Sequence, residues 1–302
     1  MCKVKTEKFT IKQFNEKYPN DDACLHEIFV NRYSNTNECP DCKYPFSFYK
    51  VSNRKCYACA YCGHQIHPLA NTIFHKSSTS LKNWFFAMFL FSCSKNGVSA
   101  KELERQLGVT YKCAYRIAQQ IRKLFDETNA GAMLSNIVEI DETYHGGKEI
   151  NKHKNKKIPN SQGRSVKSKT PIMGAVEKKG DVIAKVVCDT TENTVQNFVR
   201  ENVAITSNLQ TDEYRSYNNL AKLGYTHSRV NHGIKQYAKG DNYTNTIEGF
   251  WSQLKRSIHG TYHFVSRKYL QTYVNEFTYR YNRRNSISAL FHDVVKQAWT
   301  LC

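Results

Sequence analysis

Apolar and polar positions along this chain follow two different periods, and the change falls near residue 135. Before it the spacing is mostly helical. FTIKQFNEKY and DDACLHEIFVNRY predict one or two short helices within 1–35. KYPFSFYKVSNRKCY departs from that spacing and alternates well enough for a short hairpin. Across 80–125 the helical pattern returns in three parts. LKNWFFAMFLFSCS is a mostly apolar helix closed by Lys95-Asn96-Gly97. VSAKELERQLG is a short helix with Ser99 as N-cap, Glu102 completing a capping box, and Gly108 as the stop. TYKCAYRIAQQIRKLF is a third helix capped by Thr110, and its spacing turns Ala114, Ile117, Ala118 and Ile121 to a core.

After residue 135 the period shortens to that of strands. IVEIDETYHGG predicts a first strand, and PIMGAVEKKGDVIAKVVCD a hairpin turning at Lys179-Gly180. TVQNFVRENV then reads as a helix, SNLQTD as a strand, RSYNNLAKLG as a helix, YTHSRV as a strand, and TNTIEGFWSQLKRSIHG as a helix. This order fits an α/β fold of the RNase H-like kind, with a mixed five-stranded sheet and flanking helices. The expected domains are an N-terminal helical segment at 1–35, a zinc ribbon at 36–70, a helix-turn-helix segment at 78–128, and a catalytic domain at 135–302 with a basic insertion at 148–169.

Charge narrows the class of partner. The 302 residues carry a formal net charge of +18, an excess that points to a polyanion, since Lys and Arg neutralise phosphates and release counterions. Helix, glycine turn and basic helix follow the logic of a helix-turn-helix, which leaves Lys112, Tyr115, Arg116 and Arg122 available for phosphates or base edges. The insertion holds eight Lys or Arg in 22 residues and almost nothing apolar, as expected of a flexible arm along a DNA backbone. The N-terminus has no apolar segment of signal-peptide type, and WFFAMFLFSC is too short to span a bilayer, so no membrane role is expected. A cytoplasmic, nucleoid-associated location follows, or a nuclear one in a eukaryotic host.

In a reducing compartment eleven cysteines are thiols or metal ligands. Cys39-Pro-Asp-Cys42 and Cys59-Ala-Tyr-Cys62 have zinc-ribbon spacing, and four thiolates complete a closed, structural Zn²⁺ site. Cys56, His64 and His67 compete as ligands, and redox-active CxxC is the alternative chemistry.

Three acids carry the candidate chemistry. Asp141 ends the run IVEID and Asp212 ends NLQTD, each where a strand is expected to stop, while Glu248 lies at the start of a helix. Lys255, seven residues on, shares the Glu248 face and is a candidate DNA contact. Two strand-end aspartates and a helical glutamate can hold two Mg²⁺ ions for phosphoryl transfer. Asp189 is a rival strand-end aspartate, and Glu142, Glu213 and Glu276 lie near candidate positions.

Taken together, CPDC…CAYC, TIFHKSSTSLKNWFFA, VEIDETYHGGK, LQTDEYRSY, NHGIKQYAKGDNYTNTIEGFWSQLKRSIHGTYHFVS and YVNEFTYRYNRR resemble the zinc-ribbon DDE transposases of bacterial insertion sequences, relatives of eukaryotic Merlin elements, over nearly the whole chain. The resemblance implies a metal-binding triad of Asp141, Asp212 and Glu248 in an RNase H-like core. It implies Mg²⁺ or Mn²⁺ at the active site, and cleavage at transposon ends followed by strand transfer into target DNA. The expected partners are terminal inverted repeats, target DNA and further copies of the chain, at least a dimer on DNA. Two other readings stay open: a non-catalytic DNA-binding regulator, and an RNase H-like nuclease without strand transfer.

Overall fold

The computed structural model describes residues 9–126, 133–147, 149–159, 165–230, 244–284 and 287–299. They form two compact units, one of Met1–Leu124 with Arg283–Cys302, the other of Phe125–Asn282. The last helix, expected with the catalytic domain, thus belongs to the first unit.

The first unit opens with α1 (Ile11–Lys17) and α2 (Asp21–Arg32). The Thr10 side chain caps α1 in a capping box with Gln13, and Asn20 caps α2 through the Ala23 N–H, satisfying donors that a helix start leaves open. A three-stranded antiparallel sheet follows, β1 (Phe48–Lys50), β2 (Tyr57–Cys59) and β3 (Gln65–Ile66). Phe29 of α2 stacks on Tyr57 of β2 with ring centroids 3.8 Å apart, so the ribbon borrows a helix to bury its face.

Next come α3 (Leu81–Cys93), α4 (Ala100–Leu107) and α5 (Tyr111–Leu124). α3 is apolar all round because it is a core helix: Trp84, Phe85, Met88 and Phe91 are fully buried, each worth about 2–3 kcal/mol. The closing helix α9 (Ile287–Gln297) packs on α3, and Phe291 meets Phe89 and Phe14. Ser99 caps α4 at the Glu102 N–H, and Gly108 ends it in the left-handed conformation at φ 64°. The expected core face of α5 is observed, with Ala114, Ile117, Ala118 and Ile121 all inaccessible to solvent.

The second unit is a mixed five-stranded sheet in the order β6-β5-β4-β7-β8. Its strands are β4 (Ile137–His145), β5 (Thr170–Glu177), β6 (Val182–Val186), β7 (Asn208–Thr211) and β8 (Thr226–Arg229). The first three pair antiparallel, while β4–β7 and β7–β8 are parallel. Parallel pairing needs crossovers, and α6 (Glu192–Asn202) makes the first. The second crossover, expected as a helix at RSYNNLAKLG, is two 3₁₀ turns at Arg215–Tyr217 and Leu220–Leu223. Asn218-Asn219 sits between them, and asparagine competes with helical backbone bonds.

Side-chain alternation assigns the two faces. Val138, Ile140, Met173 and Ala175 pack with α6. Ile172, Val176 and Ala184 pack with α7 (Asn245–Ser257) and α8 (Leu270–Asn282). Layers of helix on both faces of this strand order make an RNase H-like core. The basic insertion contributes two short 3₁₀ turns, Glu149–Asn151 and Lys154–Lys156, while Lys148 and 160–164 lie outside the described residues, as does the stretch 231–243.

Candidate active site

β4 does not stop at Asp141. It runs on to His145 because β5 continues to pair with it, Asp141 lying opposite Gly174 and His145 opposite Thr170. What ends near Asp141 is the parallel ladder on the other side. Ile137 pairs with Asn208, Val138 with Leu209 and Glu139 with Gln210, a constant offset of 71. Carried two residues further, that offset sets Asp141 beside Asp212, on neighbouring strand lines about 4.8 Å apart. The backbone N–H of Tyr214 donates to Asp212 Oδ1 at 2.9 Å and holds the carboxylate at the strand end.

Glu248 arrives from α7, whose N-terminus carries a cap from outside the helix. Thr244, the N-cap residue, makes no side-chain cap bond; its Oγ1 donates to Glu248 Oε1 at 3.2 Å. The vacant role falls to Glu139 of β4. Its Oε2 accepts the N–H groups of Thr246 at 2.9 Å and Ile247 at 3.0 Å, and its Oε1 accepts the Thr246 hydroxyl at 2.7 Å. A carboxylate there satisfies open donors and complements the helix dipole. Burial raises the Glu139 pKa, and these donors oppose the rise.

One turn along α7, the Trp251 indole N–H donates to Asp141 Oδ2 at 3.1 Å. The indole can lie on the sheet because residue 174 is glycine: a Cβ there would stand 2.5 Å from the ring. Strand and helix are therefore bonded at Glu139–Thr246 and at Asp141–Trp251, and Glu248 lies between those fastenings.

Asp141, Asp212 and Glu248 line one open cleft of about 520 Å³, together with Glu142, Thr244, Trp251 and Lys255. Lys255 is the cationic side chain in that lining, sharing the Glu248 face as the seven-residue spacing required. Burial, then the charges of Glu142, Asp212 and Glu248, push the Asp141 carboxyl up to about 7. Four carboxylates against one lysine, in a strongly basic protein, make a site that favours a cation. Hard oxygen donors suit a hard divalent cation.

The rival acids have other work. Asp189 accepts from the Thr191 N–H and from the Thr191 and Thr194 hydroxyls at the start of α6, and these bonds lower its pKa to about 2. Glu276 is buried and accepts from the Tyr262 hydroxyl and from Arg280. Glu142 accepts the Tyr217 hydroxyl at 2.7 Å on the α6 side of the sheet.

In the first unit the ligand atoms of Cys39, Cys42, Cys59 and Cys62 all lie within 4.8 Å of one another, and no other group of three or more His, Cys, Asp or Glu does so among the described residues. Cys39–Cys62 and Cys42–Cys59 are each 3.8 Å apart at sulfur, the edge (~3.8 Å) of a tetrahedron with Zn–S bonds of about 2.3 Å. Burial works against the Cys59 thiolate, but backbone N–H groups of Cys62 and Tyr61 and neighbouring thiols bring it down to about 7. Cys56 stands apart, 3.7 Å from Gln65 Oε1. The quartet fits one structural metal ion.

Of the expected DNA contacts on α5, Lys112 and Arg116 are exposed. Arg122 is a correction. It is 1% exposed, lies over the Phe91 ring at 5.2 Å and donates to the Val98 carbonyl at 3.1 Å, so it is a core residue. Ala114 and Ala118 precede it at four-residue steps, and their small side chains leave room for its stem.

Reasoning from the sequence missed Glu139, Trp251 and Gly174. The first was detectable: Glu139 shares the parity of Asp141 in the run IVEID, so both acids face one side.

A mixed sheet with an acidic cleft at its parallel switch defines an RNase H-like core. Residues 133–282 match the ISXO2-like transposase domain. A protein in transposable element ISH50 of Halobacterium salinarum is 25% identical over 261 residues, 82% of this chain and 86% of that protein. A transposase-like protein of Haemophilus influenzae is 31% identical over 104 residues, 34% of this chain and 83% of that protein. Among solved structures, the HTLV-2 integrase catalytic core in complex with magnesium aligns over 51% of this chain and 90% of its own, at 15% identity and a TM-score of 0.31. The Mos1 strand transfer complex aligns over 67% and 74%, at 11% identity and a TM-score of 0.30. The chain belongs to the DDE transposases of insertion sequences, in the family with the ISXO2-like domain.

Proposed function

We propose that this transposase cleaves DNA at its element's ends and joins the freed ends to target DNA, with Asp141, Asp212 and Glu248 as its catalytic carboxylates. The observation that carries the reading is their convergence on one cleft from residues far apart in sequence, through the β4–β7 register and the Glu139 cap. Mg²⁺ or Mn²⁺ held by the three, as a pair of ions, supplies charge stabilisation for the attacking and leaving oxygens of phosphoryl transfer.

In the first step water attacks the phosphodiester at the element's end, the P–O3′ bond breaks, and a 3′-hydroxyl is left. In the second that hydroxyl attacks a target phosphodiester in line, forming a new P–O bond and releasing the target's own 3′-hydroxyl. Trp251 fixes one oxygen of Asp141. Lys255 contacts a non-bridging phosphate oxygen. Two ends must be joined together, so the working form is a homo-oligomer, at least a dimer, on DNA.

Lys112 and Arg116 contact the terminal repeats. Cys39, Cys42, Cys59 and Cys62 hold one structural Zn²⁺. No described helix is long and apolar enough to cross a membrane. The site of action is where the DNA lies, the nucleoid or a host nucleus.

The test is cleavage of a duplex taken from the DNA that flanks the coding sequence, with Mg²⁺. Asp141→Asn, Asp212→Asn and Glu248→Gln should each lower it more than roughly a hundredfold, beyond what loss of an outer partner costs, with DNA binding kept. A mutant that cleaves like the wild type removes its residue from the triad. Joining of a pre-cleaved end to plasmid DNA separates a transposase from a nuclease.

A further inference from the structure

α7 does not end in an ordinary cap. It passes into a π-helical turn, Ile258–Tyr262, and then into His263 at φ 59° and ψ −46°. The Phe264 N–H returns to the Tyr262 carbonyl at 2.6 Å, closing a three-residue γ-turn of the positive-φ kind. A non-glycine residue in that conformation is strained, and such strain persists only where its surroundings enforce it. They do so here from both sides. Tyr262 packs edge-on against Tyr273 at 4.7 Å and donates to Glu276. Val265 is buried, and its carbonyl accepts from His145 Nε2 at 2.9 Å.

The product of this construction is Phe264, which is 75% exposed between the anchored Tyr262 and Val265. Isolated surface apolar residues are common and need no account. A phenylalanine that a strained, doubly anchored turn holds out into water is a different case. Its surroundings state the partner's charge: from Lys255 to Lys268 the chain has Lys255, Arg256, Arg267 and Lys268 exposed, two further histidines, and no acid.

We propose that Phe264 is a base-stacking wedge, which enters duplex DNA beside the cleaved phosphate and takes the face of an unstacked base. The proposal rests on the DNA cleavage reading given above and adds a specificity-determining residue to it. An aromatic ring stacks on any base, and apolar wedges of this type open base steps in bound duplexes. His145 ties the turn to β4 four residues beyond Asp141, about 13 Å along the strand. At about 3.4 Å per base step, the anchor at His145 stands about four nucleotides' length from Asp141, so the opened base lies a few nucleotides from the cleavage point.

The experiment uses the full chain and a duplex from the DNA flanking the coding sequence, with 2-aminopurine placed in turn at each position around the cleavage point. Before divalent cation is added, wild type should brighten the probe at one position, and Phe264→Ala should not. After Mg²⁺ is added, Phe264→Ala should cleave the paired duplex roughly ten- to a hundredfold more slowly. A mismatch at the bright position should restore its rate, since the unstacking is then already done. Phe264→Trp should retain both brightening and cleavage. Unchanged brightening and cleavage in Phe264→Ala overturn the wedge. So does an equal loss on paired and mismatched duplexes, which marks a fold defect. Wild type that cleaves with no bright position defeats the wedge and leaves the cleavage reading standing. Brightening by a wild type that cleaves nothing does the reverse.

Discussion

The thiol quartet draws every ligand from residues 39–62, within one short ribbon, and its four sulfurs already stand at the spacing of a closed shell. The carboxylates come from residues 141, 212 and 248, on one strand, just past the end of another and on a helix, and line an open cleft. The ribbon around the quartet has little core of its own, so a metal held there would be the main source of its stability. The cleft is held by the protein: a carboxylate caps α7, an indole holds Asp141, and a backbone N–H holds Asp212. A structural ion and a reactive one thus call for opposite designs. The first is compact in sequence and supports its fold. The second needs a fold that stands without it.

The largest expected effect tests that asymmetry. Cys39→Ser, or stripping with a strong chelator, should remove about one zinc per chain and, with it, on the order of 10 kcal/mol of folding free energy from the ribbon. The carboxylate sheet should keep its hydrogen-exchange protection. Elemental analysis and exchange on one sample read both, and simultaneous loss of the two units' protection would break the contrast.

Next in size is the cap that builds the cleft. Glu139→Gln keeps the shape of the side chain and, with its amide oxygen in the Oε2 position, both backbone bonds, but it removes the negative charge that complements the start of α7. End cleavage should fall about ten- to a hundredfold, the usual cost of an outer partner, with metal affinity weakened as well. Wild-type cleavage by this variant would mean that Glu248 is positioned by something else.

Smaller effects separate buried from exposed cations on α5. Arg122→Met should lower stability by about 2 kcal/mol in urea unfolding, through its lost bond to Val98. It should leave intrinsic DNA affinity unchanged under native conditions. Lys112→Ala and Arg116→Ala should do the opposite. Each should keep stability while flattening the slope of DNA binding against salt by about one for every phosphate left without its cation. A fall in DNA affinity on Arg122→Met without a loss of stability would restore that residue to the DNA-facing set.

The same contrast explains what was legible in the sequence. The quartet, the Ser99 cap, the Gly108 stop and the buried stripe of α5 are local, set by spacing over a few residues, and were readable as such. The convergence of Asp141 on Asp212 could be anticipated only as a possibility of the sheet, because the 71-residue offset belongs to strand pairing rather than to either segment. Arg122 was placed outside by residue type, although its four-residue steps from Ala114 and Ala118 set it beside the buried stripe. The shared face of Glu139 and Asp141 is legible from parity, but the role of Glu139 is not, because its partners are backbone N–H groups of a helix 107 and 108 residues away, and a backbone donor leaves no mark in composition. The expected strand end at Asp141 came from its apolar run, whereas β5 pairing carries the strand to His145.

Whether the three carboxylates hold the ion for DNA cleavage is open to one direct measurement. Asp212→Cys tests it in one assay, because a thiolate is a poor ligand for Mg²⁺ and a better one for Mn²⁺. Cleavage of the flanking-DNA duplex by this variant should be lost in Mg²⁺ and partly restored in Mn²⁺, while the wild type works in both. Equal activity of variant and wild type in Mg²⁺ would contradict a metal-ligand role for Asp212.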